Sequence, residues 1–192
     1  MSLVVSRWTD FQKQEQVDDQ LAVINNEFAP HNISFNLINV TRTINADWAT
    51  SGLESYPFKK ALRKGDWSTL NIYSVKSICS DGRSIGGYGT IPQISPQNST
   101  NFHLDGCVIS SNTMPVSNST RKNMGFTAVH EIGHWLNLFH PFEGGCDGYG
   151  DFVDDTPAML PDKGVGTCEE GQDTCPKHPG NDPIHNYSKF IP

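Results

Sequence analysis

The apolar positions along this chain change period several times, and each change marks a predicted element. Between Phe11 and Phe28, the residues Val17, Leu21, Ile24 and Phe28 fall three or four apart, which is one face of a helix. Pro30 stops that helix, because proline cannot continue the hydrogen-bond ladder. Ile33 to Val40 alternates apolar and polar residues for much of its length and reads as a strand. Tyr56 to Lys64 reads as a second helix closed by Gly65, and Leu70 to Val75 as another alternating strand. Gly86 to Pro92 is glycine-rich and reads as an edge strand, the position in a sheet where Pro92 is tolerated. Gly106 to Ser111 contains the apolar run Cys107-Val108-Ile109, a buried-strand pattern. Asn123 to Leu138 carries Met124, Phe126, Val129, Ile132, Trp135, Leu136 and Leu138 with helical recurrence. From Pro141 onwards Gly, Pro, Asp and Cys dominate, and no long regular element is predicted. Core packing accounts for the helical and strand patterns without any further role.

The last predicted helix carries the chemistry. It reads His130-Glu131-Ile132-Gly133-His134, with His140 six residues beyond. Residues four apart share a helix face, so His130 and His134 can hold one metal ion together. Glu131 sits beside the first ligand, where it can reach a metal-activated water as general base. His140 can return as third ligand if the chain turns sharply after His134. Three nitrogens and a water form the open tetrahedral site of catalytic zinc. The bland alternative, two histidines on a surface helix, weakens sharply once the third histidine stands at this spacing. Asn137 occupies the place where such motifs carry a left-handed glycine, and asparagine tolerates that conformation next best. His31, His103 and His178 are read as ordinary polar residues, His185 as a neighbour of the site at most, and Trp8, Trp48 and Trp67 as packing.

Composition narrows the rest. With 192 residues the chain is long enough for one domain with a full core. The net charge of -7 argues against nucleic-acid or anionic membrane partners. No apolar run approaches the length of a membrane span, and the start MSLVVSRWTD has no basic region of a signal peptide. The five cysteines, Cys79, Cys107, Cys146, Cys168 and Cys175, lack C-x-x-C spacing, so disulfides are a better reading than a second zinc site. An odd count leaves at least one thiol without an internal partner. Sequons at Asn32, Asn39, Asn98, Asn118 and Asn186 are compatible with secretion.

Beyond the zinc motif, a series of segments carries a family resemblance. It comprises Lys60-Ala61-Leu62-Arg63-Lys64-Gly65, Asp105-Gly106-Cys107-Val108-Ile109, Phe142-Glu143-Gly144-Gly145-Cys146, Gly150 to Ala158, Asp173-Thr174-Cys175-Pro176 and Gly180 to Tyr187. From about Gln12 onwards the chain resembles the pappalysin-type metzincins, especially the secreted fungal and bacterial, ulilysin-like forms. The resemblance implies an α+β, metzincin-like (zincin) catalytic domain over residues 1–192. It would hold a twisted, mostly parallel sheet with one antiparallel edge strand, an active-site helix and an irregular C-terminal subdomain. The subdomains would divide at about 1–137 and 138–192. A substrate peptide would pair with the edge strand, for which Gly87 to Ile91 is the candidate.

Several site assignments follow from that resemblance. His130, His134 and His140 would bind one Zn²⁺, and Glu131 would act as base of a secreted, monomeric endopeptidase acting on proteins or peptides. Cys146 would pair with Cys175, and Cys168 would lack its partner. Cys79 with Cys107 is a second candidate bridge that spacing alone does not decide. Glu143, Asp147, Asp151, Asp154 and Asp155 form an acidic loop that reads either as a solvated surface or as a Ca²⁺ site using Asp151, the Val153 carbonyl and Thr156. The chain departs from the family at its end. Ser188 stands where the family has the methionine of the Met-turn, and Phe190 where it has a tyrosine whose hydroxyl helps stabilise the tetrahedral intermediate. Loss of one oxyanion donor costs on the order of a hundredfold in rate. That departure points to truncation or an altered reading frame near residue 187, with the C-terminal subdomain incomplete. A natural variant that folds well is the other reading. It also keeps open a second function, a zinc-binding but catalytically weak homologue that acts as a binding protein.

Overall fold

Ser2 to Val5 form a strand, β1, that four short apolar and small residues could not announce against the noise of an N-terminus. The computed structural model describes residues 1–5, 12–53, 55–115, 124–161 and 169–189. Trp8, Phe11, Asn118, Asn123, Cys168 and Phe190, which the sequence reading used, lie outside them. The described residues divide into two compact units, Met1–Trp135 and Leu136–Pro192.

The first unit is built on a five-stranded sheet in the order β2-β1-β4-β8-β7. β2 is Thr41–Ile44, β4 Ile72–Val75, β7 Gly87–Gly89 and β8 Cys107–Ser110. The first four strands run parallel, and β7 alone runs antiparallel, on β8. All four residues of β1 and of β8 are buried, as expected for parallel strands covered on both faces. Val4, Tyr73, Val75 and Val108 form one core with Phe58 and Ile78. A small second sheet joins β3 (Thr50–Ser51), β5 (Ser77–Ser80) and β6 (Arg83–Ile85).

Among the described residues, five helices accompany the strands in this unit: α1 (Gln14–Phe28), α2 (Ala46–Ala49), α3 (Tyr56–Leu62), α4 (Thr100–Leu104) and α5 (Phe126–Trp135). α1 buries Val17, Ile24 and Phe28, and also Gln20, whose amide donates to the Gly125 carbonyl at 3.0 Å at the entry to α5. α1 ends at Phe28, and a turn of 3₁₀ helix over Ala29–His31 follows, with proline in its first turn. α3 ends at Leu62, before Gly65.

The alternating segment Ile33 to Val40 is not a strand; pairing begins only at Thr41, beside Ser2. The reason is a competing partner. The side-chain amide of Asn25 takes both backbone groups of Phe35, accepting its N–H at 2.7 Å and donating to its carbonyl at 3.0 Å. The Phe35 ring meets Phe28 edge-on at 5.6 Å, while Ile38 stays exposed. Alternation without a free ladder position therefore yields an extended loop.

The described residues of the second unit are irregular apart from a 3₁₀ turn at Gly145–Asp147, and the Cys146–Cys175 disulfide links two of its segments. Asp182 ties it internally, accepting from Gln172 and from both the N–H and the hydroxyl of Thr174. Among the described residues, no helix is long and apolar enough to cross a membrane. The Cys79–Cys107 bridge is not formed: both thiols are free, Cys79 exposed and Cys107 buried. Cys107 lies inside the central sheet on β8 and donates to the Glu131 carbonyl at 3.2 Å, whereas Cys79 sits in the small sheet.

Candidate active site

α5 brings His130 and His134 together one turn apart, with their Nε2 atoms 3.1 Å from each other and the rings nearly perpendicular. Two nitrogens at zinc bond lengths and a tetrahedral angle stand about 3.3 Å apart, so this pair fits a shared zinc ion. The helix stops at Trp135, and Asn137 takes a φ of 74°, the left-handed conformation that ends helices. In the second unit, His140 stacks on Phe142 with centroids 4.7 Å apart, and its Nδ1 lies 3.0 Å from the Glu143 carboxylate. That contact favours the tautomer with the proton on Nδ1 and leaves Nε2 as the ligand-type nitrogen.

Glu131 is 4% exposed. Burial pushes its carboxyl up to about 8, while a hydrogen bond from the Gly89 backbone and the charge of Lys59 oppose the shift. The strand β7 lies directly against it. A Cβ on Gly87 would sit 2.8 Å from Glu131 Oε1, and one on Gly89 would overlap the Glu131 carbonyl oxygen. Glycine at both positions is therefore a condition for the edge strand to reach the helix. The other end of α5 is anchored by Trp135, whose indole N–H donates to Asp105 at 2.9 Å. Asp105 in turn holds Arg63 in a buried pair at 2.9 Å, and Arg63 lies over the Phe102 ring.

Periodicity did not single out this buried polar set of Lys59, Arg63 and Asp105. A signal existed: Lys59 and Arg63 are four apart, one in the last turn of α3 and the other at its C-cap. With Lys60 and Lys64 beside them, however, the sequence does not tell which cations face inward.

Of the proposed calcium donors, the Asp151 carboxylate is buried and accepts from the Val153 N–H at 3.1 Å, and the Val153 carbonyl accepts from the Thr156 N–H at 3.1 Å. Phe152 between them has a φ of 63°. Ser188 is buried, its N–H donating to the Asn186 side chain at 2.8 Å.

A mostly parallel sheet with one antiparallel edge, lying on a helix that carries His130, Glu131 and His134, is a metzincin-type scaffold. Structures of mirolysin share it: mirolysin in complex with compound 9 superposes with a TM-score of 0.78 at 22% identity, over 99% of this chain and 82% of the other. Mature mirolysin of Tannerella forsythia in complex with a cleaved peptide gives 0.77 at 22%, over 100% and 82%. At that identity the likeness concerns the fold. The family profile of peptidase M43, described as pregnancy-associated plasma protein-A, matches residues 65–189, and the chain belongs to that family. It is 47% identical over 177 residues to an extracellular metalloprotease of Colletotrichum graminicola, covering 92% of this chain and 60% of the relative. An extracellular metalloprotease of Verticillium alfalfae is 45% identical, with 92% and 62% covered. The chain thus spans about 60% of the length of these curated relatives.

Proposed function

We propose that this chain is the catalytic part of a secreted zinc-dependent endopeptidase, with residues 1–137 and 138–192 serving one catalytic domain. The observation that carries the reading is the buried Glu131 carboxylate, pressed between the glycine edge of β7 and the helix turn that joins the His130 and His134 nitrogens. His130, His134 and His140 would supply the ligand set, as the spacing of the motif implies. A zinc ion held there would acidify water and polarise the scissile carbonyl. Glu131 takes the proton from the attacking water and delivers it to the leaving amine. Its raised proton affinity suits both halves of that exchange, because a carboxyl poised near neutrality can accept and then return a proton. An extended peptide pairs with β7, the terminal strand of the five-stranded sheet.

Glu131→Gln tests this reading: bound zinc should stay near one per chain while peptide cleavage disappears. Cleavage surviving the change would remove Glu131 from the role. A Ca²⁺ ion at Asp151, the Val153 carbonyl and Thr156 belongs to the same reading, supported by the buried Asp151 carboxylate in a glycine-flanked turn. A calcium-dependent rise in melting temperature checks it.

The second reading is a zinc-binding homologue of low turnover that acts by binding. Ser188, buried at the place of the family's methionine, favours it. Stoichiometric zinc with no cleavage of any peptide in a broad library would select it.

A further inference from the structure

Lys59 is a fully buried cation, 0% exposed in α3. Its ammonium donates to the Leu104 carbonyl at 2.7 Å and to the Gly106 carbonyl at 3.0 Å. It stands 5.3 Å from the centre of the Tyr88 ring and 5.7 Å from that of Tyr73. Burying a lysine in this way is costly unless its charge is used, and here the desolvation is strong enough to lower its pKa to about 8. No step of the proposed reaction employs it.

Its contacts meet at one place in the fold. Tyr88 is the middle residue of β7, flanked by Gly87 and Gly89, the two glycines pressed on Glu131. Gly106, which receives one of the ammonium bonds, also binds Thr90 just past β7: its N–H donates to the Thr90 hydroxyl at 2.9 Å, and that hydroxyl donates to the Gly106 carbonyl at 3.3 Å. Gly106 has a φ of 107°, and a Cβ there would overlap the Asn71 carbonyl, so this junction cannot move by substitution. An antiparallel edge of three residues, two of them glycine, has few side chains with which to hold its own height above a helix.

We propose that Lys59 is a positioning residue for substrate: from beneath β7, its ammonium fixes the Gly87–Gly89 edge, through the Tyr88 ring and the Gly106–Thr90 junction, at the height where an extended peptide pairs beside Glu131. The proposal rests on the endopeptidase reading for its substrate, but the hold on β7 is independent of it. The ring faces attract the cation, and the two carbonyls aim it. Removing the charge while keeping the volume therefore leaves β7 packed but free to rise.

The test uses Lys59→Met, close in length and apolar, and the milder Tyr88→Leu, which keeps both carbonyl bonds of Lys59. Hydrogen exchange is followed on the whole chain. Both variants should speed exchange about tenfold over residues 85–91 while β1 and β4 keep their protection. Cleavage is measured on an extended peptide and on its copy N-methylated at the residue that pairs with β7. In the parent, N-methylation should raise KM about tenfold, and in both variants this penalty should shrink towards one while kcat stays within about twofold. If Lys59→Met loses protection throughout, Tyr88→Leu alone decides. Unchanged exchange over 85–91 in that variant overturns the proposal, and so does a loss confined to kcat with the N-methyl penalty intact. If the parent cleaves no peptide, the endopeptidase reading falls, and the substrate role of Lys59 is overturned with it. Faster exchange at β7 would then still show that Lys59 holds the edge.

Discussion

Gly89→Ala puts a methyl group where the active-site helix already is. Gly89 is not among the residues with positive φ, so space alone decides its effect. The added carbon would overlap the Glu131 carbonyl oxygen and lie 3.1 Å from the His134 Cβ. Neither neighbour can yield, because one is helix backbone and the other belongs to a proposed metal ligand. To restore an ordinary carbon–oxygen contact, β7 must retreat by about 1 Å. The packing strain corresponds to about 1–3 kcal/mol of stability. The same movement withdraws the Gly89 hydrogen bond from the Glu131 carboxyl and shifts the substrate-pairing edge, and a 1 Å misplacement of this kind costs about a hundredfold in rate. The assay is kcat/KM on a quenched-fluorescent peptide, with the urea midpoint and bound zinc measured alongside. Gly52→Ala is the control, because its nearest neighbour would be the Cys79 carbonyl at an unstrained 3.6 Å. Gly89→Ala with parental kcat/KM and an unshifted midpoint would refute the argument that the glycine edge sets the height of the site.

Two further outcomes follow from the buried charges. In zinc-depleted protein, stability should pass through a minimum near pH 8. The folded state holds the extra proton on Glu131 between 4.5 and about 8, so stability falls as pH rises there. The unfolded state holds the extra proton on Lys59 between about 8 and 10.5, so stability then recovers. The Glu131 limb amounts to about 3 kcal/mol or more; above about pH 9 the Cys107 thiol, pushed up by burial, opposes the Lys59 limb and leaves it smaller, and urea midpoints that coincide at pH 5 and 8 would contradict the reasoning. Asp105→Asn leaves the Arg63 guanidinium buried beside a neutral amide and should cost about 3 kcal/mol in denaturant titration, with loss of bidentate anchorage at Trp135 and Arg63. A cost below about 1 kcal/mol would mean that the pair is solvated in solution.

What the sequence alone determined was set by short-range geometry. His130, Glu131 and His134 lie on one helix turn, so their spacing implied their convergence before any tertiary contact was known. Asn137 stands where the family resemblance implied a left-handed residue, a conformation asparagine tolerates, and its φ of 74° shows it. The buried run at Cys107-Val108-Ile109 was equally legible, and the glycine-rich segment read as an edge strand over Gly86 to Pro92 forms one, shorter, over Gly87–Gly89.

What only the tertiary structure decided depended on competition between distant segments. Ile33 to Val40 had the pattern of a strand, but the Asn25 side chain took the backbone groups of Phe35. Ser2 to Val5 had almost no pattern and became a wholly buried strand, because β2 and β4 cover its two edges. Cys79 and Cys107 looked pairable, but the sheets that hold them leave both thiols free. Lys59, Lys60 and Lys64 are indistinguishable as letters; only packing against Tyr73, Tyr88 and the Leu104 and Gly106 carbonyls chose Lys59 for burial. The division follows the range of the forces. A helix turn or a left-handed residue is specified within a few positions, whereas the burial of a charge or the pairing of an edge is settled by whichever remote partner reaches it with the lowest free energy.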